Sequence, residues 1–258
     1  TIAHTGQESS WFYSPHHRTS RGIRCSHQAS PWMDDYGCFR ILPQSGMPDL
    51  SDGGLSSSFS PERTSFSPSR FQTTFHRFGV DFSLAPTQRG AVVEVRFPAT
   101  SRRRLVVRTV RGDARFDLAP DGVTVLASFR TPGPGVRDDL RFHLALRSSV
   151  PVDDLIRFGT LGERVGDSGS DATPPGQSAA SERALCGVAI ELARASRVGG
   201  ANGGWTGRAA DGDPVTFRLA TSWIGVEQAL ATLERELAPL DLRSAEAAAR
   251  TEWNVRLG

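Results

Sequence analysis

The most informative stretch of the chain is a short segment, residues 22–37, with the sequence GIRCSHQASPWMDDYG. Protein sites for sugars combine an aromatic ring, which covers the apolar face of the sugar, with polar side chains that hydrogen-bond its hydroxyls. The segment supplies both kinds of group: His27, Gln28, Ser30, Trp32, Asp34, Asp35 and Tyr36. The same residues also suit a structural loop in which Trp32 and Tyr36 anchor the core, and residue types alone favour that interpretation.

Candidate transition-metal ligands lie near the N-terminus: His16, His17, Cys25, His27 and Cys38. Their spacing fits no standard zinc module, so solvated or core roles are expected for them. Calcium sites need closely spaced oxygen ligands, and no such loop is evident in the sequence. No metal site is therefore predicted in this chain.

The charge of the chain argues against nucleic acid and membrane partners. A run of arginines, Arg102–Arg104 with Arg108, Arg111 and Arg115, could contact phosphates, but strand alternation predicts that these residues lie on a solvent face. The formal net charge is only +2, so no overall field favours either partner.

The sequence shows no segment for membrane insertion or export. No apolar run approaches the roughly 20 residues of a membrane span, and no signal peptide is visible in the polar residues 1–10.

The three cysteines, Cys25, Cys38 and Cys186, leave the redox compartment undecided. One disulfide is possible, with one thiol left over. Cys186 has apolar neighbours in the sequence, which favours a buried, unreactive thiol over a nucleophile.

The elements that must position any site are mostly strands. From Arg70 onward, short stretches of alternating apolar and polar residues are separated by turn residues, a pattern typical of an antiparallel sandwich or barrel. The inward-facing positions of the predicted strands are Phe71, Thr73, Phe75; Val80, Phe82, Leu84; Val93, Val95, Phe97; Leu105, Val107; Phe116, Leu118; Val123, Val125, Ala127; and Leu140, Phe142, Leu144, Leu146. Further strands are predicted near residues 185–193 and 214–222.

The first 70 residues lack this regularity. Residues 38–42 are a candidate strand, whereas residues 47–69 are dominated by Ser, Pro and Gly and are predicted to form a long loop. A second loop is predicted over the Gly/Ser/Asp/Pro tract of residues 163–181.

The C-terminal end changes to helical spacing. Val226, Leu230, Leu233 and Leu237 recur at the period of one helix face, and Pro239 ends that helix. A second helix is predicted over about residues 243–253. The fold class is therefore predicted to be mainly β, an antiparallel β-sandwich followed by two C-terminal helices.

Residues 27–37 (HQASPWMDDYG), continued by LPQSG at 42–46, resemble a signature block of the α-mannosidases of glycoside hydrolase family 92. Members commonly have a Gly-aromatic-x-x-Thr-His stretch, a Ser-Pro-Trp, an Asp-Tyr-Gly and a Met-Pro-Gln-like strand. Ile23, Ser26 and Leu42 depart mildly from that pattern. Near the C-terminus, the motifs TSW at 221–223 and WNVRL at 253–257 are similar to the family's passage from the last strand into a linker and the catalytic domain.

The resemblance implies a two-domain, calcium-dependent, inverting exo-α-mannosidase that acts on α-mannoside glycans. Residues 1–222 would form a supersandwich-like N-terminal domain, and residues 223–258 would be a helical linker toward an (α/α)6 catalytic barrel. The barrel would supply the general acid, the general base and most of the calcium ligation. By match to the signature block, His27, Trp32 and Asp35 are the candidate substrate-binding residues. An extracellular or periplasmic location is also implied.

The chain stops at Gly258, where the resemblance places the start of the barrel. An inverting glycosidase needs two carboxyl groups roughly 6.5–9.5 Å apart across the scissile bond. Neighbouring strand residues point to opposite faces, which makes the adjacent pairs of this chain poor candidates: Asp34-Asp35, Asp138-Asp139 and Asp153-Asp154. We therefore predict no catalytic residue and no bound calcium in this chain, and expect it to be inactive alone.

Two other functions stay open at this point. The chain could be a stand-alone carbohydrate-binding β-sandwich without hydrolase activity. It could also be a structural or interaction module whose aromatic residues belong to the core, because sandwiches host many functions.

Overall fold

The structure of the chain is a computed structural model. It describes residues 2–5, 16–25, 37–51, 53–99, 101–109, 113–130, 140–159, 186–193 and 213–257. The strands in these residues are, in chain order, β1 (Ile2–Thr5), β2 (Thr19–Ser20), β3 (Ile23–Cys25), β4 (Phe39–Ser45), β5 (Ser57–Ser58), β6 (Ser65–Ser67), β7 (Arg70–Phe75), β8 (Val80–Pro86), β9 (Gly90–Arg96), β10 (Arg103–Thr109), β11 (Ala114–Leu118), β12 (Thr124–Arg130), β13 (Arg141–Ser148), β14 (Val152–Phe158), β15 (Gly187–Leu192) and β16 (Val215–Ser222). The helices are α1 (Val226–Thr232), which continues as a π-helical segment (Leu233–Leu237), and α2 (Leu242–Leu257).

The described strands form two antiparallel sheets that pack face to face. One has six strands in the order β1-β3-β4-β10-β15-β14, and the other has eight in the order β11-β12-β13-β16-β9-β8-β7-β6. Strands β2 and β5 form a small separate pair. The predicted antiparallel β-sandwich with two C-terminal helices is therefore confirmed.

The core lies between the two sheets. Alternate residues such as Leu105 and Val107 of the six-stranded sheet are buried in one cluster with Phe82, Val93 and Phe217 of the eight-stranded sheet. Because alternate side chains of a strand point to the same face, the period-two pattern predicts these inward positions correctly, whereas Leu118 at the end of β11 was predicted to face inward and is exposed. Burial of apolar area contributes about 25 cal/mol per Å², which makes this interface the main source of stability.

The sequence of strand β14 does not show the alternation of apolar and polar residues that predicts the other strands. Strand β14 forms the edge of the six-stranded sheet, and its register against β15 shifts between Val152 and Asp154. Asp153 and Asp154 are both exposed, as expected for surface residues. An edge strand with charged residues resists pairing with other chains, and such a strand shows little apolar periodicity.

The stretch predicted as a long loop contains more structure than expected. It includes β5, β6 and a 3-10 turn at Pro61–Arg63, and it covers the outer face of the six-stranded sheet. Leu55 is buried there against Val106 and Ala189. The buried amide of Gln44 donates hydrogen bonds of 3.1 and 3.2 Å to the carbonyls of Asp49 and Gly54, which holds the segment on the sheet.

The prediction that the arginine run lies on a solvent face is wrong for three of its members. Arg102 and Arg115 are exposed, whereas Arg103, Arg104 and Arg108 of β10 are buried. Strand β10 lies in the middle of its sheet, and other parts of the chain cover its outer face as well. A strand that is covered on both faces does not follow the simple alternation of buried and exposed residues.

The two helices pack on the outer face of the eight-stranded sheet. Small residues of the sheet, such as Ala145 and Ala220, form a flat surface on which Leu233 and Leu237 are buried. A reciprocal cap starts α2: Ser244 N–H donates to Asp241 Oδ1 at 2.7 Å, and Asp241 N–H donates to Ser244 Oγ at 3.0 Å. Both predicted helices are thus confirmed, and α2 extends four residues further than expected.

Charged groups reinforce this packing. Arg147, Arg89 and Arg70 of the sheet side bind Glu234, Glu236 and Glu246 of the helical side, respectively. Arg218 Nε donates to the carbonyls of Leu237 and Leu240, where the π-helical segment ends. The boundary between a domain at 1–222 and a linker at 223–258 stays a prediction.

The side chains of Cys38 and Cys186 are both buried, which confirms the predicted burial of Cys186. Among the described helices, none is long and apolar enough to cross a membrane.

Candidate functional site

The segment that carries the predicted sugar-binding residues connects two neighbouring strands. Strands β3 and β4 are antiparallel partners, with Ile23 opposite Ile41 and Arg24 opposite Arg40. Residues 26–36 therefore join adjacent strands at one end of the six-stranded sheet, which we call the connection end. His27, Trp32 and Asp35 lie outside the described residues, so their role stays a prediction.

A glycine starts the first of these strands for a steric reason. Gly22 has φ +109°, and a Cβ on it would lie 2.4 Å from the carbonyl oxygen of Ile41. Its N–H donates to Ser20 Oγ at 3.1 Å. The chain can therefore enter β3 this close to β4 only with glycine at this position.

An aromatic stack supports the root of the β3–β4 connection. Phe39, at the start of β4, stacks on Phe129 with 5.0 Å between ring centroids and on Phe142 with 6.1 Å. Phe129 and Phe142 are cross-strand partners in the opposite sheet. Phe142 also contacts Trp223, with 4.6 Å between ring centroids. The stack ties both sheets together at the connection end, where aromatic pairs add to the gain from burial.

Several strands end at the same place. Phe39 lies opposite Thr109, the last residue of β10, and the N–H of Thr109 donates to the carbonyl of Cys186 just before β15. In the other sheet, β16 ends at Ser222, opposite His143. Both sheets therefore contribute to the connection end, where β4 begins and β16 leads toward α1.

Three buried arginines lie behind this end of the six-stranded sheet. Arg24, Arg40 and Arg108 are side by side on neighbouring strands, and their strand neighbours Ile23 and Val107 face the core. The arginines thus lie on the outer face. Adjacent like charges on strands are unfavourable unless other groups compensate them, and each of the three makes further contacts. They concentrate positive charge at the root of the connection.

The chain matches the model of the glycosyl hydrolase family 92 N-terminal domain over residues 1–222. The chain belongs to that family. A solved inverting mannosidase of family 92 from Bacteroides thetaiotaomicron is similar to this chain at 27% identity and a TM-score of 0.74, covering 98% of this chain and 31% of its own. The comparison with curated proteins finds no match.

More distant family 92 structures share the fold. An α-mannosidase from Bacteroides thetaiotaomicron has a TM-score of 0.69 and 15% identity, covering 93% of this chain and 31% of its own. Another family 92 glycosyl hydrolase has a TM-score of 0.65 and 16% identity, covering 98% of this chain and 32% of its own. The family 92 N-terminal domain described here thus spans about a third of the length of these solved relatives.

A concave surface of this family 92 domain lies at the end of the sandwich opposite the connection end. It is a cleft of about 420 Å³ lined by Arg102, Asp153, Asp154, Glu191 and Leu192. Arg102 Nη1 donates to Glu191 Oε1 at 3.1 Å. Glu191 is the least exposed carboxylate of the cleft, and it is therefore already engaged in an ion pair. Among the described residues, no group of three or more His, Cys, Asp or Glu side chains could hold a metal ion.

A serine–histidine pair on the outer face of the eight-stranded sheet is not evident from the sequence. Ser128 Oγ lies 2.7 Å from His143 Nδ1, because β12 and β13 place the two residues opposite each other. Burial lowers the pKa of His143, the charge of Arg141 lowers it further, and Glu227 of α1 opposes both. In the family 92 domain, α1 contacts both strands that carry the pair, and the charge of Glu227 in α1 acts on His143.

Neither the aromatic stack nor the row of buried arginines is evident from the sequence. Phe39, Phe129 and Phe142 are far apart along the chain, and only the pairing of the sheets brings them together. The sequence does contain one local indication of the arginine positions. Arg24 and Arg40 each neighbour an inward-facing isoleucine, and alternation along a strand then places both arginines on the outer face.

Proposed function

We propose that this chain is the N-terminal, non-catalytic domain of an inverting, calcium-dependent exo-α-mannosidase that acts on α-mannoside glycans. The observation that carries the proposal is the similarity to a solved inverting mannosidase of family 92, which covers 98% of this chain at 27% identity. Residues 1–222 are proposed as the sandwich domain, and residues 223–258 as a helical linker toward the catalytic part of a longer polypeptide.

In this proposal, the β3–β4 connection forms one wall of the mannose pocket. The ring of Trp32 covers the apolar face of the sugar, while His27 and Asp35 hydrogen-bond hydroxyls or hold the connection in shape. The stacking of Phe39, at the start of β4, on Phe129 and Phe142 supports this role, because a pocket wall must be held in place by packing of its neighbours.

The chemistry is assigned to the rest of the polypeptide. The described residues offer no set of ligands that fits calcium, so no step through that ion is derived for this chain. Asp153 and Asp154 are exposed on an edge strand, and the cleft beside them lies at the other end of the sandwich from the β3–β4 connection. The proposed partners are an α-mannoside glycan and the chain's own catalytic domain, with neither nucleic acid nor membrane. The proposed location is extracellular or periplasmic.

One observation favours a second candidate, a self-contained carbohydrate-binding module. The helices already pack on the eight-stranded sheet through a buried apolar cluster and three ion pairs, so that face is covered without another domain. Under this alternative the chain binds a mannoside and lacks any hydrolase partner.

The decisive experiment uses the full reading frame that contains this chain. The purified product should hydrolyse an aryl α-mannoside, and proton NMR should show the inverted anomer as the first product. Trp32→Ala in that protein should raise KM by about tenfold without changing the melting temperature, because loss of a stacking ring costs on the order of 1 kcal/mol or more. A wild-type product that binds a mannoside without cleaving it would replace the proposal with the binding module.

A further inference from the structure

The aromatic stack at the connection end joins two segments that the proposed function assigns to different tasks. Phe39 lies at the start of β4, next to the connection that carries His27, Trp32 and Asp35. Trp223 follows the last residue of β16 and precedes α1, so it lies at the root of the helical segment. Phe142 lies between them, 6.1 Å from Phe39 and 4.6 Å from Trp223 between ring centroids.

The environment of Trp223 differs from that of its neighbour. Trp223 is half-buried and packs on the core cluster, whereas Ile224 is 84% exposed. The N–H of Ile224 donates to Ser222 Oγ at 2.9 Å, which fixes the turn from strand to helix around Trp223. The indole thus contacts Phe142 at the turn where β16 leads into the helical segment, and this contact links that turn to the core.

We infer that Trp223 is a positioning residue for substrate binding, which acts through Phe142 and Phe39 to fix the start of β4 relative to the helical segment. This inference rests on the proposed function. The connection would carry one wall of the sugar pocket, and the helical segment would lead to the catalytic part. Loss of the aromatic contacts would therefore allow the pocket wall to shift relative to the catalytic groups. Such a shift would misplace the substrate, and misplacement by about 1 Å can lower the rate by orders of magnitude.

The test compares variants of the full reading frame in two measurements. Trp223→Leu removes the ring, Trp223→Phe retains one, and Phe142→Leu removes the same contact from its other side. The control is Phe82→Leu, which removes a buried ring from the Phe75–Phe82 pair in the same core, away from the stack. Trp223→Leu should raise KM for an aryl α-mannoside about fivefold or more relative to the control, while Trp223→Phe stays within about twofold of wild type.

The second measurement is amide hydrogen exchange of residues 37–42 and 223–230. Exchange at the start of β4 should rise in Trp223→Leu and in Phe142→Leu, but not in Phe82→Leu. If Trp223→Leu does not fold, Phe142→Leu gives the result alone. Equal KM and exchange in the stack variants and the control would overturn the inference. A wild-type protein without turnover would refute the proposed function instead, and exchange at Phe39 would still decide whether Trp223 positions it.

Discussion

Arg147 of β13 forms a bidentate ion pair with Glu234 of the π-helical segment. Arg147 Nη1 donates to Glu234 Oε2 at 3.0 Å, and Arg147 Nη2 donates to Glu234 Oε1. This pair joins the helical segment to the sheet beneath it. The hydrogen bond from Arg147 lowers the pKa of Glu234 in the folded protein. The pair therefore stabilises the fold fully at pH values above the ordinary carboxyl pKa. This stabilisation is lost as the pH falls through the lowered pKa of Glu234.

Glu234→Gln should therefore lower the free energy of unfolding by about 0.5–1 kcal/mol at pH 7, because the pair is partly exposed and solvent screens it. The matched control is Glu252→Gln, which breaks an exposed pair with Arg256 within α2 and should change stability little. Urea unfolding of both variants at pH 7 gives the comparison. An equal effect of the two substitutions would show that Arg147 does not hold the helical segment.

The glycine at the entrance to β3 allows a prediction with an internal control. Gly22→Ala combines a left-handed backbone with a Cβ that collides with the carbonyl of Ile41, whereas Gly46→Ala has φ +76° and no atom within 4 Å of its Cβ. Gly46→Ala should cost about 1 kcal/mol of backbone strain, and Gly22→Ala about 2–3 kcal/mol. Urea denaturation of the two variants distinguishes steric collision from strain, and equal costs would contradict the close approach of β3 to β4.

The buried Arg104 depends on Glu191 for compensation of its charge. Arg104 is fully buried, its Nη1 donates to the carbonyl of Gly46 at 2.8 Å, and its Nη2 lies 3.7 Å from Glu191 Oε1. Glu191→Gln should destabilise the fold by about 2–3 kcal/mol, because it leaves a buried charge uncompensated. In an Arg104→Met background the same substitution should cost less than about 1 kcal/mol. Additive effects in this double-mutant cycle would exclude the coupling.

His143 predicts a pH dependence of stability. Because burial lowers its pKa in the folded state, the unfolded chain takes up the proton first, and the stability present above pH about 6.5 is lost as the pH falls below that value. Charged groups near it are Arg141 on its own strand and Glu227 of α1. His143→Gln should flatten the change in unfolding free energy between pH 7.5 and pH 5.5, as measured by urea unfolding. An unchanged pH profile would assign the effect to other groups.

The success of sequence-based prediction differs between parts of the fold for physical reasons. Strands such as β7, β8 and β11 were predictable because each buries mainly one face, as β8 does with Phe82 between the less buried Asp81 and Ser83, and a one-sided strand leaves a period-two pattern. Strand β10 has two covered faces, so the burial of Arg104 and Arg108 could not be inferred from alternation. The edge strand β14 has little apolar pattern, since Asp153 and Asp154 face solvent.

The candidate site was predictable only in part. The resemblance of the segment 27–37 identified the family, which the family model now shows for residues 1–222. The stack of Phe39, Phe142 and Trp223 was not predictable, because it depends on how two sheets pack and on residues more than 80 positions apart such as Phe142 and Trp223. Long-range packing of this kind leaves no periodic signal in the sequence.

The last prediction concerns the chain by itself. Residues 1–258 alone should not turn over an aryl α-mannoside, because an inverting mechanism needs two carboxyl groups roughly 6.5–9.5 Å apart and the proposal assigns both to the rest of the polypeptide. The assay compares the chain with the product of the full reading frame at equal concentration, and circular dichroism verifies that the chain is folded. The control is Asp153→Asn with Asp154→Asn in the longer protein, which should leave kcat and KM unchanged because both residues lie on the edge strand β14. Turnover by the chain alone would contradict the proposal that the rest of the polypeptide supplies the catalytic carboxyl groups. Loss of turnover in the double variant of the longer protein would contradict it as well, because it would indicate that the sandwich supplies at least one of them.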